Sequence, residues 1–404
     1  MSRMLPEILR EIFRYLQSSE LDLIAASLAC KSWYFEARPL VNDGALRFLN
    51  LRSHRVACRH LDADVEYLQR LSSLLTESRR LRLGYCDLGY RRYCDLVEEI
   101  RILPSIMNEK VQSGADAIHR VVKLRPANLH RICIGFRNQD TAPYRDCVMR
   151  LLDHIRALGQ TITSVALGSV SLPVKSGQQT HEICLGVLDR FKDDIHEVSL
   201  NGVQLDYPIQ HALAQCHSVE RLALRDGLPP SSDPPAPATE NLVTRFADAF
   251  PHLTRLIFYM RVGRGDRVTG AQLRDLMTRC PKLRELRLEV DETVDDECVR
   301  FLAQTARNLV ELHLSKCTGV RGEDEWSEGD IRWRELKRLH IADATGVAVS
   351  FVEQVLRVCQ KLENVLLSKY DEGLEAKFEE YGYQYSIEEM SWKIDRSIPV
   401  TDIQ

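Results

Sequence analysis

A six-residue pattern of apolar and polar positions recurs along most of the chain. Each copy reads apolar-x-x-apolar-x-apolar, as in LTRLIF (253–258), LRELRL (283–288) and LVELHL (309–314). Because the last apolar positions alternate with polar ones, each copy predicts a short β-strand with one buried face. We find eleven copies, which start at residues 46, 78, 129, 162, 195, 219, 253, 283, 309, 336 and 362.

Stretches with helical spacing precede most copies. In AQLRDLMTRCPKL (271–283), the apolar residues Leu273, Leu276, Met277 and Cys280 share one face of a predicted helix. One strand and one helix cannot bury such a face alone, so consecutive copies should stack. We therefore predict an α/β fold: a repeat solenoid with a concave parallel sheet and helices on its convex side.

These copies resemble leucine-rich repeats. The copies that start at 283, 309, 336 and 362 are 26 or 27 residues apart, within the range of about 20–29 that is typical of this repeat. Cys216, Cys280 and Cys359 each stand three residues before the first position of a copy, which is similar to the cysteine-containing class of the family. We place the solenoid at residues 42–370, with about 11 repeats.

Four segments interrupt or follow the regular spacing. The long step from the copy at 78 to the copy at 129 predicts an insertion near 90–125, with a helix over 92–107, or else one degenerate repeat. A proline-rich loop is expected at 227–241 and an acidic surface loop at 321–330. The acidic tail, residues 371–404, should cap the apolar end of the last repeat.

The chain opens with a strongly amphipathic segment. Pro6 and Glu7 suit the first turn of a helix. Apolar residues at Ile8, Leu9, Ile12, Phe13 and Leu16 then give that helix a wide apolar face, and two further short helices are expected before residue 41. Three helices in about forty residues are too few to form a good core. We therefore expect this surface to be shared with a partner or with the first repeats.

This segment resembles an F-box. The residues LPEILREIFRYL (5–16), CKSW (30–33) and PL (39–40) follow that family's pattern in order, although one residue between Pro6 and Glu7 is missing. The resemblance covers residues 1–41 and implies docking on a Skp-type adaptor, which joins cullin and RING subunits. An ordinary helical cap on the repeats is the alternative. The adaptor-binding residues that the resemblance implies are Leu5, Pro6, Ile8, Leu9, Ile12, Phe13, Leu16, Leu28, Cys30, Trp33, Pro39 and Leu40.

Polar positions of the predicted strands should face away from the core and form a binding surface. They hold nine arginines and four glutamates: Arg52, Arg80, Arg82, Arg131, Arg221, Arg225, Arg255, Arg287 and Arg338 against Glu197, Glu285, Glu289 and Glu311. An acidic or phosphorylated protein segment would fit such a surface, and a salt-bridge ladder between strands is the alternative. The candidate substrate-binding residues are Arg131, Arg221, Arg225, Arg255, Tyr259, Arg287, His313, Arg338 and His340.

Composition indicates the cellular compartment and limits the kinds of partner and site that we expect. The 404-residue chain has a net charge of −4 and twelve cysteines with no Cys-x-x-Cys spacing. We expect reduced thiols and a cytoplasmic or nuclear protein, with no membrane or nucleic-acid partner. We also expect no catalytic residue, no cofactor and no metal, since HEICL (181–185) lacks the second histidine of a zinc helix.

The resemblance to F-box proteins with leucine-rich repeats implies a non-catalytic receptor. Such a protein binds a substrate through its repeats and presents it to a Skp–cullin–F-box ubiquitin ligase for degradation. An F-box scaffold in a non-degradative complex would have the same features. A leucine-rich-repeat regulator of a small GTPase is the alternative from another class.

Overall fold

The computed structural model describes the greater part of the repeats and one N-terminal helix. The described residues are 6–16, 26, 48–51, 99–102, 119, 120, 122, 123, 129–136, 142–169, 178–203, 205–227, 242–260, 268–327, 329–344, 346–367, 378–386 and 391–394. The chain divides into two compact units, residues 1–195 and 196–404. We describe each unit by itself.

The first unit contains a parallel sheet whose strands follow one another in chain order. Strand β1 pairs with β2, β2 with β3, and β3 with β4, all in parallel. Its elements are α1 (Pro6–Leu16), β1 (Phe48–Leu51), β2 (Glu99–Ile102), β3 (Arg131–Phe136), α2 (Ala142–Ala157), β4 (Ser164–Ser169) and α3 (Gln178–Phe191).

Strand β2 corrects the sequence prediction for this region. Residues 99–102 form a strand, so the predicted helix over 92–107 is wrong there, whereas a strand at this position agrees with the alternative of one degenerate repeat. The segment VEEIRI (97–102) in fact fits the six-residue pattern. Ile100 is fully buried and lies in register with Ile132 of β3.

The second unit continues the same alternation of strand and helix. Strands β5 to β11 are parallel and lie in chain order, and two antiparallel strands follow β11. Its elements are β5 (Glu197–Asn201), α4 (Tyr207–Ala214), β6 (Arg221–Gly227), α5 (Leu242–Ala249), β7 (Arg255–Met260), α6 (Gly270–Arg279), β8 (Glu285–Glu289), α7 (Asp296–Thr305), β9 (Glu311–Ser315), β10 (Arg338–Ile341), α8 (Val349–Val358), β11 (Asn364–Leu367), β12 (Tyr383–Ser386) and β13 (Ser391–Ile394).

The predicted repeat pattern is confirmed as a set of parallel strands. Every predicted copy coincides with a strand except the copy at 78–83, which lies outside the described residues. In β8, Leu286 and Leu288 are fully buried, whereas the polar residues beside them are half-exposed. Helix α6 buries Leu273 and Leu276 completely. Each such leucine contributes roughly 1.5–3 kcal/mol when it is buried, so repetition builds a continuous core.

Two tryptophans pack in the connection from β9 to β10, where they contact helices α7 and α8. Residues 316–337, apart from the undescribed residue 328, contain no helix. Trp333 is fully buried and its indole N–H donates to the Leu302 carbonyl at 3.1 Å. Trp326 packs against Phe351 with ring centroids 4.6 Å apart. These rings occupy the layer in which the two neighbouring repeats place helices α7 and α8.

The C-terminal tail extends the sheet beyond the last parallel strand. Strand β13 pairs antiparallel with β11, and β12 pairs antiparallel with β13. Phe378 is fully buried, and the Tyr383 hydroxyl donates to the Leu362 carbonyl at 2.8 Å. The tail therefore covers the exposed edge of β11. The predicted boundaries at 41 and 370 stay predictions, and most of the proline-rich loop lies outside the described residues.

Most of the described cysteines are buried in the core. Within the described ranges the eight cysteines are free. Burial raises the pKa of Cys280 to about 11 and the pKa values of Cys317 and Cys359 to about 12, so these thiols are protonated at neutral pH. The described helices include none that is long and apolar enough to cross a membrane.

Candidate functional site

The polar positions of β5 to β11 lie on the sheet face opposite the buried leucines, which we call the outward face. Strand register arranges them in three rows that run across the strands. Row one is Glu197, Arg221, Arg255, Glu285, Glu311, Arg338 and Asn364. Row two is Ser199, Ala223, Ile257, Arg287, His313, His340 and Leu366. Row three is Asn201, Arg225, Tyr259, Glu289 and Ser315.

Five side chains of rows one and two form a chain of alternating charge, which we call the ion-pair ladder. The Oε2 atom of Glu285 lies 2.7 Å from Arg255 Nε, and its Oε1 atom lies 3.0 Å from Arg287 Nε. The Oε1 atom of Glu311 lies 2.7 Å from Arg287 Nη2, and its Oε2 atom accepts from Arg338 Nη1 at 3.2 Å. The ladder thus alternates positive and negative groups across four strands.

The ladder is partly shielded from solvent. The Glu285 and Glu311 side chains are 20% and 13% exposed. The Nε–H groups of Arg255 and Arg287 do not point at a hydrogen-bond acceptor in spite of the short distances to Glu285. These contacts are therefore charge pairs with imperfect hydrogen-bond geometry. Such pairs are worth more than fully exposed ones, because the surrounding protein lowers the screening by water.

The predicted excess of positive charge does not accumulate on this part of the surface. In the second unit the outward face holds five arginines and four glutamates, a difference of 5 − 4 = 1. Arg52, Arg80 and Arg82 lie outside the described residues, and Arg131 lies half-buried on β3 of the first unit. Side chains of the second unit therefore form the salt-bridge ladder, which is the alternative interpretation of the sequence. Binding of substrate by these arginines stays a prediction.

Rings of rows two and three lie next to the ladder. Tyr259 and His313 are in edge-to-face contact with centroids 5.9 Å apart, and His313 and His340 are 5.0 Å apart in the same manner. His340 Nε2 in turn lies 3.0 Å from Oδ1 of Asn364, which belongs to row one. Sequence reasoning named all three rings, but it did not identify Asn364.

Burial keeps two of these rings uncharged. Desolvation raises the pKa of the Tyr259 hydroxyl to about 12, against the opposing effect of the nearby arginines. Desolvation also lowers the pKa of His313 to about 4, and the neighbouring His340 and Arg287 lower it further. At neutral pH the rings of Tyr259 and His313 are therefore uncharged.

Helix α1 carries the described part of the predicted adaptor-binding set. Leu9 and Phe13 are buried, with 2% and 0% of their surface exposed. Ile8, Ile12 and Tyr15 are 49%, 36% and 90% exposed. Pro6 and Leu16 begin and end the helix. The remaining predicted residues lie outside the described ranges: Leu5, Leu28, Cys30, Trp33, Pro39 and Leu40.

The two apolar faces of α1 have different roles. Residues three or four apart lie on the same face of a helix, so Leu9 and Phe13 form one stripe and Ile8, Ile12 and Tyr15 form another. The first stripe packs inside the protein. The second stripe is open to solvent, and it includes Tyr15, which is not among the predicted adaptor-binding residues.

Comparison with known proteins adds little beyond the fold. No protein-family model matches the chain, and no curated protein matches it. Among solved structures, the chain is similar to one titled "Crystal structure of TLR13-ssRNA13 complex", with 14% identity and a TM-score of 0.38. The match covers 69% of this chain and 34% of that chain, so this chain corresponds to about a third of the other. The fold is therefore assigned from strand order and repeat spacing. The described chain has a leucine-rich-repeat-like fold of parallel strands alternating with helices.

Proposed function

We propose that this protein is the substrate-recognition subunit of a Skp–cullin–F-box ubiquitin ligase. In this proposal the N-terminal helices dock on a Skp-type adaptor, and the repeats bind a protein substrate in the cytoplasm or the nucleus. The chain itself catalyses no step. It raises the effective concentration of substrate near the ubiquitin-charged enzyme that the cullin and RING subunits bring.

The exposed stripe of α1 is the observation that supports this proposal most directly. Ile8, Ile12 and Tyr15 are exposed on a helix whose opposite stripe is already buried. A helix that is anchored on one face and apolar on the other can dock into a groove of a partner. Covering each large apolar side chain contributes roughly 1.5–3 kcal/mol, so a few such residues can hold an adaptor.

Capture of a Skp-type adaptor by the full-length chain tests the proposal. The informative variant is Ile8→Asp with Ile12→Asp, because both side chains are already exposed and the buried stripe stays intact. Burying these carboxylates against an adaptor would cost several kcal/mol, so capture should be lost. Leu9→Asp is unsuitable because Leu9 is buried, and its loss of binding would only report misfolding.

A matched control lies on the same helix. Glu11 and Arg14 form an exposed ion pair, and the variant Glu11→Gln with Arg14→Gln should capture the adaptor as the unmodified chain does. If neither the unmodified chain nor the variants capture the adaptor, then α1 is only a cap on the repeats. Equal capture by all of them would place docking outside this stripe.

A non-degradative F-box scaffold would use the same helix. Cullin that co-purifies with the chain, together with faster turnover of a bound client, favours the ligase receptor. Adaptor binding with a client whose lifetime does not change favours the scaffold.

A further inference from the structure

Row three holds two charged side chains that the rest of the outward face does not neutralise. Arg225 on β6 is exposed and Glu289 on β8 is half-exposed. Neither forms an ion pair with any residue in the described ranges. By contrast, every arginine and glutamate of rows one and two lies within 4 Å of a partner of opposite charge. These partners belong to the ion-pair ladder or to the pair Arg221–Glu197.

Tyr259 lies between these two charges. It is the register partner of Arg225 on the neighbouring strand, and Glu289 follows Leu288, which is the partner of Phe258. Its ring is half-buried and held by the contact with His313. Adjacent strands are about 4.8 Å apart, so the strands that carry Arg225 and Glu289 are about 10 Å apart. Row three therefore presents a cation, an aromatic ring and an anion in a line across three strands.

We propose that Arg225, Tyr259 and Glu289 form the docking site for an extended protein segment that carries an acidic, an apolar and a basic side chain in that order. This inference rests on the proposed function and names the class of substrate segment that the repeats take. Arg225 would bind the acidic group through its planar fork of donors. The apolar side chain would pack on Tyr259, and Glu289 would pair with the basic group.

Charge complementarity selects this occupant over a uniformly acidic one. Arg255, Arg287 and Arg338 already contact Glu285 or Glu311. An acidic or phosphorylated segment would therefore meet one uncompensated arginine and then the uncompensated carboxylate of Glu289. Like charges placed together across an interface oppose binding. A span of about 10 Å corresponds to about three residues of extended chain, which sets the expected separation of the acidic and basic side chains.

Selection of peptides on the full-length chain tests the proposal. A yeast-displayed library of random peptides is sorted on the unmodified chain and on the double variant Arg225→Glu with Glu289→Arg. We expect the unmodified chain to enrich peptides with an acidic residue, an apolar residue and a basic residue within a short segment. The double variant should enrich the reverse order of charge. Enrichment of purely acidic peptides, of the same peptides by both proteins, or of none would overturn the proposal.

Single variants measure the two charges separately. With the most enriched peptide as a fluorescent probe, Arg225→Gln and Glu289→Gln should each weaken binding by about tenfold, the equivalent of about 1.4 kcal/mol. Arg357→Gln is the matched control, because Arg357 is an exposed arginine on helix α8 of the same unit and lies outside the outward face. Its affinity for the probe should stay within about twofold of that of the unmodified chain. Equal losses in all three variants would contradict the assignment to row three.

Adaptor capture separates this proposal from the proposed function. The row-three variants leave α1 unchanged, so they should capture the Skp-type adaptor as the unmodified chain does. Normal peptide selection without adaptor capture would leave row three as a protein-binding site and refute the ligase role. Adaptor capture with no enriched peptide would support the ligase role and refute row three as a protein-binding site.

Discussion

Arg287 Nη2 on β8 lies 2.7 Å from Glu311 Oε1 on β9, and Glu311 is the least exposed charged residue of the ion-pair ladder. The same carboxylate also accepts a hydrogen bond from Arg338 on β10. Glu311 therefore joins three neighbouring strands through its two carboxylate oxygens. Its position makes the ladder a source of stability as well as a feature of the surface.

Removal of the Glu311 charge should destabilise the second unit. The variant Glu311→Gln keeps the shape of the side chain but leaves Arg287, which is 27% exposed, without one of its two partners. We expect a loss of about 1–2 kcal/mol, because a shielded charge loses its compensation. Urea unfolding monitored by circular dichroism measures it.

The exposed pair Arg321–Glu323 provides the control for that change. Its atoms are 3.9 Å apart, and the two side chains are 66% and 72% exposed. Glu323→Gln should change stability by less than about 0.5 kcal/mol. Equal effects of the two substitutions would mean that shielding on the outward face does not strengthen the ladder.

Trp333 should be one of the most sensitive core positions. It is fully buried in the connection from β9 to β10, so Trp333→Ala should cost about 3–5 kcal/mol by opening a cavity. Trp333→Phe should cost less, because the Leu302 carbonyl that loses the indole N–H keeps its bond from Ala306 N at 2.9 Å. Thermal unfolding followed by circular dichroism compares the two.

Tyr207→Ala is a suitable reference for the tryptophan variants. Tyr207 is an aromatic residue on a helix, but it is 67% exposed. Its removal should change stability by less than about 0.5 kcal/mol. A melting temperature for Trp333→Ala as high as that of Tyr207→Ala would contradict the packing of Trp333 against helices α7 and α8.

Arg300 should hold the acidic segment 324–327 in place. Its guanidinium lies 3.0 Å from Asp324, donates to the Glu325 carbonyl at 2.6 Å and stacks 5.1 Å from the Trp326 ring. Arg300→Ala should therefore speed amide hydrogen exchange at Trp326 and Ser327. Arg300→Lys should recover little protection, because an ammonium group lacks the planar fork and the stacking surface.

The neighbouring residues supply an internal control for this prediction. The Asp296 carboxylate accepts from the backbone N–H groups of Arg321, Gly322 and Glu323 at 3.3, 3.1 and 3.2 Å. Those three amides should keep their protection in Arg300→Ala. Faster exchange along all of 321–327 would show that Arg300 supports the whole connection rather than its second half.

His313 should make the stability of the protein depend on pH. Burial lowers its pKa from 6.5 to about 4 in the folded state. As pH falls from 6.5 to 4, the unfolded chain takes up a proton that the folded protein does not, so stability decreases across that window. Above pH 6.5 the contribution of His313 is fully present. The variant His313→Gln should therefore lose less stability on acidification.

Urea midpoints at the two ends of this window measure the effect. Carboxylates also titrate there, so the informative quantity is the difference between the variant and the unmodified chain. His217→Gln is the control, since His217 is exposed on a turn, and its pH dependence should match that of the unmodified chain. An identical pH dependence for His313→Gln would mean that the ring is not shielded.

The strands could be predicted because their signal is local. Alternating apolar residues such as Leu286 and Leu288 mark a strand with one buried face wherever they occur, and all described copies of the pattern formed one. Strand β2 was missed because Leu96, Ile100 and Leu103 are also spaced as on a helix. Its pairing with β1 and β3 selects between the two periods, and that pairing is not a local property.

The candidate sites could likewise be predicted only in part from the sequence. The sequence identified α1 as amphipathic, but it could not distinguish Leu9, which is buried, from Ile12, which is exposed. It likewise named the arginines of the outward face without showing which of them have partners. Arg287 meets two glutamates, whereas Arg225 meets none in the described ranges.

The sequence by itself therefore determined the repeat, the positions of most strands and the residues that face away from the core. Hydrophobic alternation and spacing act over a few neighbouring residues, so they can be read along the chain. Only the tertiary structure decided which charges neutralise one another, how Trp326 and Trp333 take the place of a helix, and where a cation and an anion remain without an ion pair among the described residues. Those outcomes depend on the register of strands that are about 26 to 34 residues apart in sequence, and that register is set by packing of the whole unit.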